Sequence, residues 1–197
     1  MAHKNFLARV GKGIVVAAGV VFLGAFLSGT GLTAEHKEEA SALLTKLSQT
    51  KHSLAAGIKQ AEKEEGVAIS AKFEMEGDEL SLSVYTAKQG QITDAEHNTL
   101  MELAGNPTTD QWKPKKEVFE DKAHIARASM HLTLMQLTKL TLADVVQKAA
   151  AHQPGTVYSV IPAIRDGKPV CDVLVATPDH KSVPLTIDLR TGEAIKK

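Results

Sequence analysis

The chain has almost no cysteine and few aromatics. Cys171 is the only cysteine in 197 residues, so no disulfide forms within the chain. No cysteine follows directly on the apolar N-terminal run, which excludes a lipid-modified mature N-terminus there. Aromatic residues make up 4%, with a single Trp, so the core is expected to be mostly aliphatic. Formal net charge is zero, from 23 basic and 23 acidic residues. With no basic, aromatic-interleaved face, the chain has no electrostatic footprint for nucleic acid. Gly-x-Ser-x-Gly, His-Glu-x-x-His, Cys-x-x-Cys-His and a phosphate-cradling glycine loop are all missing. Nothing in the sequence therefore activates a nucleophile. The expectation is a protein that is not an enzyme, with no catalytic residues and no cofactor.

What is present begins with a targeting segment. Lys4, Arg9 and Lys12 precede the apolar run Ile14–Leu27, and small residues follow through Ala34. That is the order of a secretory signal, which assigns residues 1–34 to a signal peptide or N-terminal anchor. The run is short for a membrane span, which needs about 20 residues. Yet 13–34 carries no charge, so a cleaved signal and an uncleaved anchor both stay open. In either case the remainder is expected to face outward, periplasmic or extracellular. Membrane contact would come only through 13–34.

The final segment, 139–197, is the most legible. Thr138 or Thr141 is placed to cap a helix, and Leu142, Val145, Val146, Ala149 and Ala150 give it one apolar stripe. Pro154-Gly155 ends it. Strand patterns follow at Thr156–Ile164, Pro169–Ala176 and Val183–Leu189. Arg165-Asp166-Gly167-Lys168 suits a tight hairpin, since Asp-Gly supplies positive φ at both central positions. A turn at Arg190-Thr191-Gly192 leads to a short strand ending at Ile195. Pro162, which cannot donate to a ladder, marks the first of these strands as an edge, with Glu193–Ile195 as the other edge. Cys171 alternates with Val173 and Val175 and reads as a small buried core residue.

Thr141-Leu142-Ala143, Pro154-Gly155, Asp166-Gly167-Lys168 and above all Asp188-Leu189-Arg190-Thr191-Gly192-Glu193 resemble a PepSY domain, whose signature is Asp-x-x-Thr-Gly. The resemblance covers about a third of the chain and departs at Cys171, where the family often has an aromatic. It implies an α+β fold and a non-catalytic role, regulation of a peptidase among them, since such domains occur in metallopeptidase propeptides and in cell-envelope proteins.

Residues 35–92 repeat the pattern. Glu35–Lys63 is helix-forming, with a fresh start at Ser53 and a stop at Gly66. Val67, Ile69, Ala71 and Phe73 alternate, Gly77-Asp78 turns, and Leu80, Leu82 and Val84 alternate again. Ser53 matches Thr141, Gly66 matches Gly155 and Gly77 matches Gly167. This predicts a degenerate second PepSY-like unit at 53–90, lacking the closing Asp-x-x-Thr-Gly. Residues 93–138 read as a helical connector between two helix-plus-antiparallel-sheet units. In it a helix runs from Thr93-Asp94 to Gly105-Asn106-Pro107, Thr108–Lys116 is a loop, and Glu117–Lys139 is the longest helix. Phe119, Ala123, Ala126, Met130, Leu134 and Leu137 form its apolar stripe, and Glu120, His124, Arg127 and His131 another face, with Glu120 pairing to His124.

His124 and His131 are the candidate metal ligands. Two helical turns place their backbones about 10 Å apart, too far for easy sharing of one ion. No metal site is assigned, and the polar face is the default. The expected function is an exported, non-catalytic binding or regulatory protein contacting a peptidase or other envelope protein. The alternative is an envelope protein binding a small molecule, metal or haem through the His124/His131 helix. Export predicts that a reporter fused after Lys197 is active outside the cytoplasm, and N-terminal sequencing of the exported form is predicted to begin near Glu35. A fusion active only in the cytoplasm contradicts this.

Overall fold

Hydroxyl and carboxyl caps set the helix starts. In the computed structural model, which describes residues 34–195, Ser53 accepts the Ala56 amide at the head of α2 (Leu54–Glu65). Thr141 and Asp144 form a reciprocal capping box at the head of α4 (Leu142–His152). Asp121 accepts the amides of Ala123 and His124 and starts α3 (Lys122–Gln136). α1 (Ala34–Lys46) runs through a 3₁₀ turn, Leu47–Gln49, towards α2. The export reading of residues 1–33 lies outside the described residues, as do Lys196 and Lys197.

Seven strands form one antiparallel sheet. They are β1 (Val67–Glu76), β2 (Glu79–Ala87), β3 (Leu100–Gly105), β4 (Lys115–Val118), β5 (Thr156–Arg165), β6 (Lys168–Ala176) and β7 (Ser182–Asp188). Their order is β4-β3-β2-β1-β5-β6-β7. The fold class is thus α+β. The β5–β6 hairpin carries φ of 50° at Asp166 and 72° at Gly167, the pair of positive angles that its sequence predicts.

α2 and α4 lie side by side on one sheet face. Leu54, Ile58 and Ala61 of α2 and Leu142, Val145 and Ala149 of α4 are buried there with Phe73, Leu82, Val160, Val173 and Ile187. Alternation along each strand puts these residues on the same side, and Cys171, also fully buried, joins them. α3 covers the opposite face, over β1, β3 and β5.

The two halves share their registers. Each first hairpin has a bulge at the same step, between Ala68 and Ser70 and between Val157 and Ser159. Gly66 and Gly155 both have positive φ, and a Cβ on either would strike a backbone carbonyl, Ala87 or Ala176. Thr50 and Thr138 hydroxyls donate to the Pro107 and Leu189 carbonyls and accept the amides of His52 and Leu140. Asn106 and Asp188, one on each closing turn, accept the amides two residues on, each at 2.8 Å. The two hairpins close on Glu76↔Glu79 and Arg165↔Lys168, so Gly77 corresponds to Asp166 and not to Gly167.

The closing turn of the first half is therefore present, as Asn106-Pro107-Thr108-Thr109-Asp110. The link from β2 to β3 is longer than that from β6 to β7, which hid it from a search at fixed spacing.

Several expectations are corrected. Residues 93–105 are no helix. Asp94 accepts the His97 amide in one isolated turn, which imitates a helix cap, and Leu100–Gly105 pairs with β2 instead. The loop 108–116 ends in β4, so the longest helix starts at Lys122, not at Glu117. Its apolar stripe is rotated: Met130 and Leu137 are exposed, while Ala128, His131, Leu132 and Met135 are buried. β5 is no edge. It pairs with β1 through Ala71↔Val160 and Lys72↔Ser159 only, and Pro162 lies beyond that short ladder, where its missing amide costs nothing. The edges are β4 and β7, with Ala194 bridging Ile187 at the end of β7.

Ile187 has no exposed surface and sits in the shared core. Ile187→Ala is predicted to cost about 2–5 kcal/mol in urea unfolding, the range for a large-to-small core change. A cost within about 0.5 kcal/mol, as at a surface position, contradicts the packing described.

Candidate functional site

Between α3 and the sheet lies a cluster of polar and aromatic side chains. β1 contributes Ser70, Lys72 and Glu74, β2 contributes Ser83 and Tyr85, and β3 contributes Glu102, all on the face that α3 covers. α3 adds Arg127 and His131, with His124 at its first turn.

His131 is 2% exposed, and its Nδ1 lies 3.0 Å from Ser70 Oγ. Burial pushes its pKa down to about 4, and the Arg127 and Lys72 charges push the same way. It is thus a neutral imidazole at physiological pH. A serine bonded to a histidine invites a catalytic reading. Ser70 is itself buried, and so acid an imidazole is a poor base, so the pair suits holding α3 to the sheet.

The other groups are engaged as well. Tyr85 meets the Phe119 ring edge-on at 4.7 Å and lies 6.3 Å from the His131 ring. Burial raises its hydroxyl far above the usual range, and Glu102 adds to this. Glu102 accepts a hydrogen bond from the Ser83 hydroxyl, yet burial still pushes its carboxyl up. Lys72 pairs with Glu74 at 2.5 Å. Ser159, which occupies in the second half the place of Ser70, has a buried hydroxyl with no partner.

The sequence candidates are held apart. His124 Nδ1 lies 2.5 Å from Asp121 Oδ2, and its ring stacks on Phe119 at 5.2 Å. Asp121, not Glu120, is its partner. His131 engages Ser70 on another element. Among the described residues no group of three His, Cys, Asp or Glu side chains is placed to hold a metal ion. The sequence reading missed Ser70, Tyr85 and Glu102. The signal available for His131 was its helical spacing with Ala128, Leu132 and Met135, one stripe of buried positions.

Two features lie outside the cluster. Asp188 Oδ1 accepts the Arg190 amide, which holds its carboxyl below the usual range, and Gly192 turns the chain at φ 72°. Asn106, Thr109, Asp110, Gln111 and Lys113 line a depression of ≈ 520 Å³ at the corresponding turn of the first half.

Glu102 carries a pH prediction. Its folded pKa is raised, so its contribution to stability is present below the unfolded value and is lost as pH rises through the folded one. Glu102→Gln keeps an acceptor for Ser83 and removes the titration. In urea unfolding the variant is predicted to gain on the parent as pH rises above the unfolded carboxyl range, and to hold that gain once pH has passed the folded value. A difference that stays constant with pH contradicts this.

No family model matches the chain, and no curated protein matches it. Among solved structures, that of a candidate lipoprotein from Clostridium difficile 630 aligns over 75% of this chain and 92% of its own, with 14% identity and a TM-score of 0.38.

Proposed function

We propose that the chain is an exported, non-catalytic binding module made of two PepSY-like units that share one sheet. It works in the cell envelope by docking on a partner protein, first among them a peptidase. The observation that carries this reading is the closing turn. Asp188, Thr191 and Gly192, the residues of the resemblance, each have a structural task there. The carboxylate takes the Arg190 amide, the Thr191 hydroxyl takes the Glu193 amide, and Gly192 supplies positive φ. An equivalent turn built on Asn106 closes the first half.

The two sheet edges differ in what they offer. β7 contains Pro184, and its last residues are covered where Ile195 donates to Thr186 and Glu193 accepts from Asp188. β4 is four residues long and exposed throughout. It is the edge open to an added strand, and Lys116 on it is already paired with Glu64 and Glu65 of α2.

The test is to incubate the exported form with envelope metallopeptidases and measure both association and activity. The reading predicts association at micromolar concentration with a change in peptidase activity. No association with any of them, together with tight haem or transition-metal binding that His124→Ala removes, overturns it in favour of the ligand-binding alternative.

A further inference from the structure

α3 stands alone on its face, while α2 and α4 pack against each other on the other side. Its last turn is tied by Gln91, which donates to the Met135 and Thr138 carbonyls, and by Gln136, which donates to Thr93. Its middle is tied by His131 to Ser70.

The surroundings of His131 are unsuited to a positive charge. Arg127 precedes it by one turn on α3, and His124 of the same helix is taken by Asp121. From β1 come Lys72, occupied by Glu74, and the neutral Ser70. From β2 comes Tyr85, and from β3 Glu102, occupied by Ser83. β5 presents Ser159, a neutral hydroxyl. No carboxylate bonds to the imidazole, so a proton there adds a third cation beside Arg127 and Lys72 in a site closed to water. Moving the helix off the sheet is the way to hydrate it.

We propose that His131 is an acid-operated release for α3: protonating its imidazole opens this helix from the sheet while the α2 and α4 side stays folded. The apolar positions of α3, Ala128, Leu132 and Met135, and the sheet face with Tyr85 and Ser159 are then exposed to solvent. The sign follows from the depressed pKa. The tie is at full strength above the unfolded histidine value and is lost as pH falls from there towards the folded one. Glu102 titrates in the opposite sense, so a Glu102→Gln background leaves the histidine's share alone.

The test is amide hydrogen exchange of the exported chain carrying Glu102→Gln, as the parent, at pH 7.5 and pH 5, corrected for the intrinsic pH dependence of exchange. A shift from 6.5 to about 4 predicts that the α3 opening constant rises about 30-fold between these conditions. At pH 5 the α3 amides are expected to open at least about ten times more often than those of α4, as separate units do. His131→Asn, whose amide nitrogen falls near the place of the Nδ1 that meets Ser70, is expected to abolish the rise. Should that variant fail to fold, Arg127→Gln serves, since removing one cation is expected to shrink the rise. The proposal is overturned if α3 and α4 share one opening constant at pH 5, or if the folded variant keeps the parent's pH dependence.

Discussion

Everything in this molecule rests on a ladder of two residue pairs. Ala71 faces Val160 and Lys72 faces Ser159, and through them β1 and β5 join the four-stranded meander β1–β4 and the three-stranded meander β5–β7 into one sheet. Ala71 and Val160 hold equivalent places in the two halves, so a local two-fold relation runs through the joint. The joint sets α2 beside α4, because each helix packs on the meander that follows it and the meanders meet edge to edge. It also makes the second face wide enough for α3 to lie across β1, β3 and β5. Ala71 and Val160 are small or β-branched and buried, which lets the two helices close over them.

Much of the second half was legible in the sequence because its signals are local. The Thr141 cap, Asp166-Gly167 and the alternation around Cys171 each act within a few residues and form as read, and Asp144 completes the cap. The helix starts at Ser53 and Thr141 were legible for the same reason. Residues 93–138 were misread where distant partners decide the outcome. Thr93-Asp94 carries a helix-start signal, but the strand at Leu100–Gly105 exists because β2 offers it a ladder. The placing of Pro162 failed likewise, since nothing near it shows that β1 pairs with only the first part of β5.

The phase of α3 shows the same limit at the candidate site. Met130 and Leu137 are more apolar than His131, so an apolar count turns the helix the wrong way. The inward turn of His131 is set by Ser70 and Tyr85, which lie far off in sequence. The site is also where the halves differ. Among the described residues Ser70 has a histidine and Ser159 has none, because α3 belongs to the connection between the halves. Two halves of similar register build the frame, and the helix between them gives one face its chemistry.

The central claim is that the short joint makes the two halves a single cooperative body. Trp112 is the only tryptophan, and its indole donates to the Gly105 carbonyl, so its fluorescence reports on the first half alone. Far-UV circular dichroism reports on all the helices and strands. Urea unfolding of the exported chain followed by both signals is predicted to give one transition with coincident midpoints. Two separated transitions, with Trp112 changing in only one of them, would contradict the account.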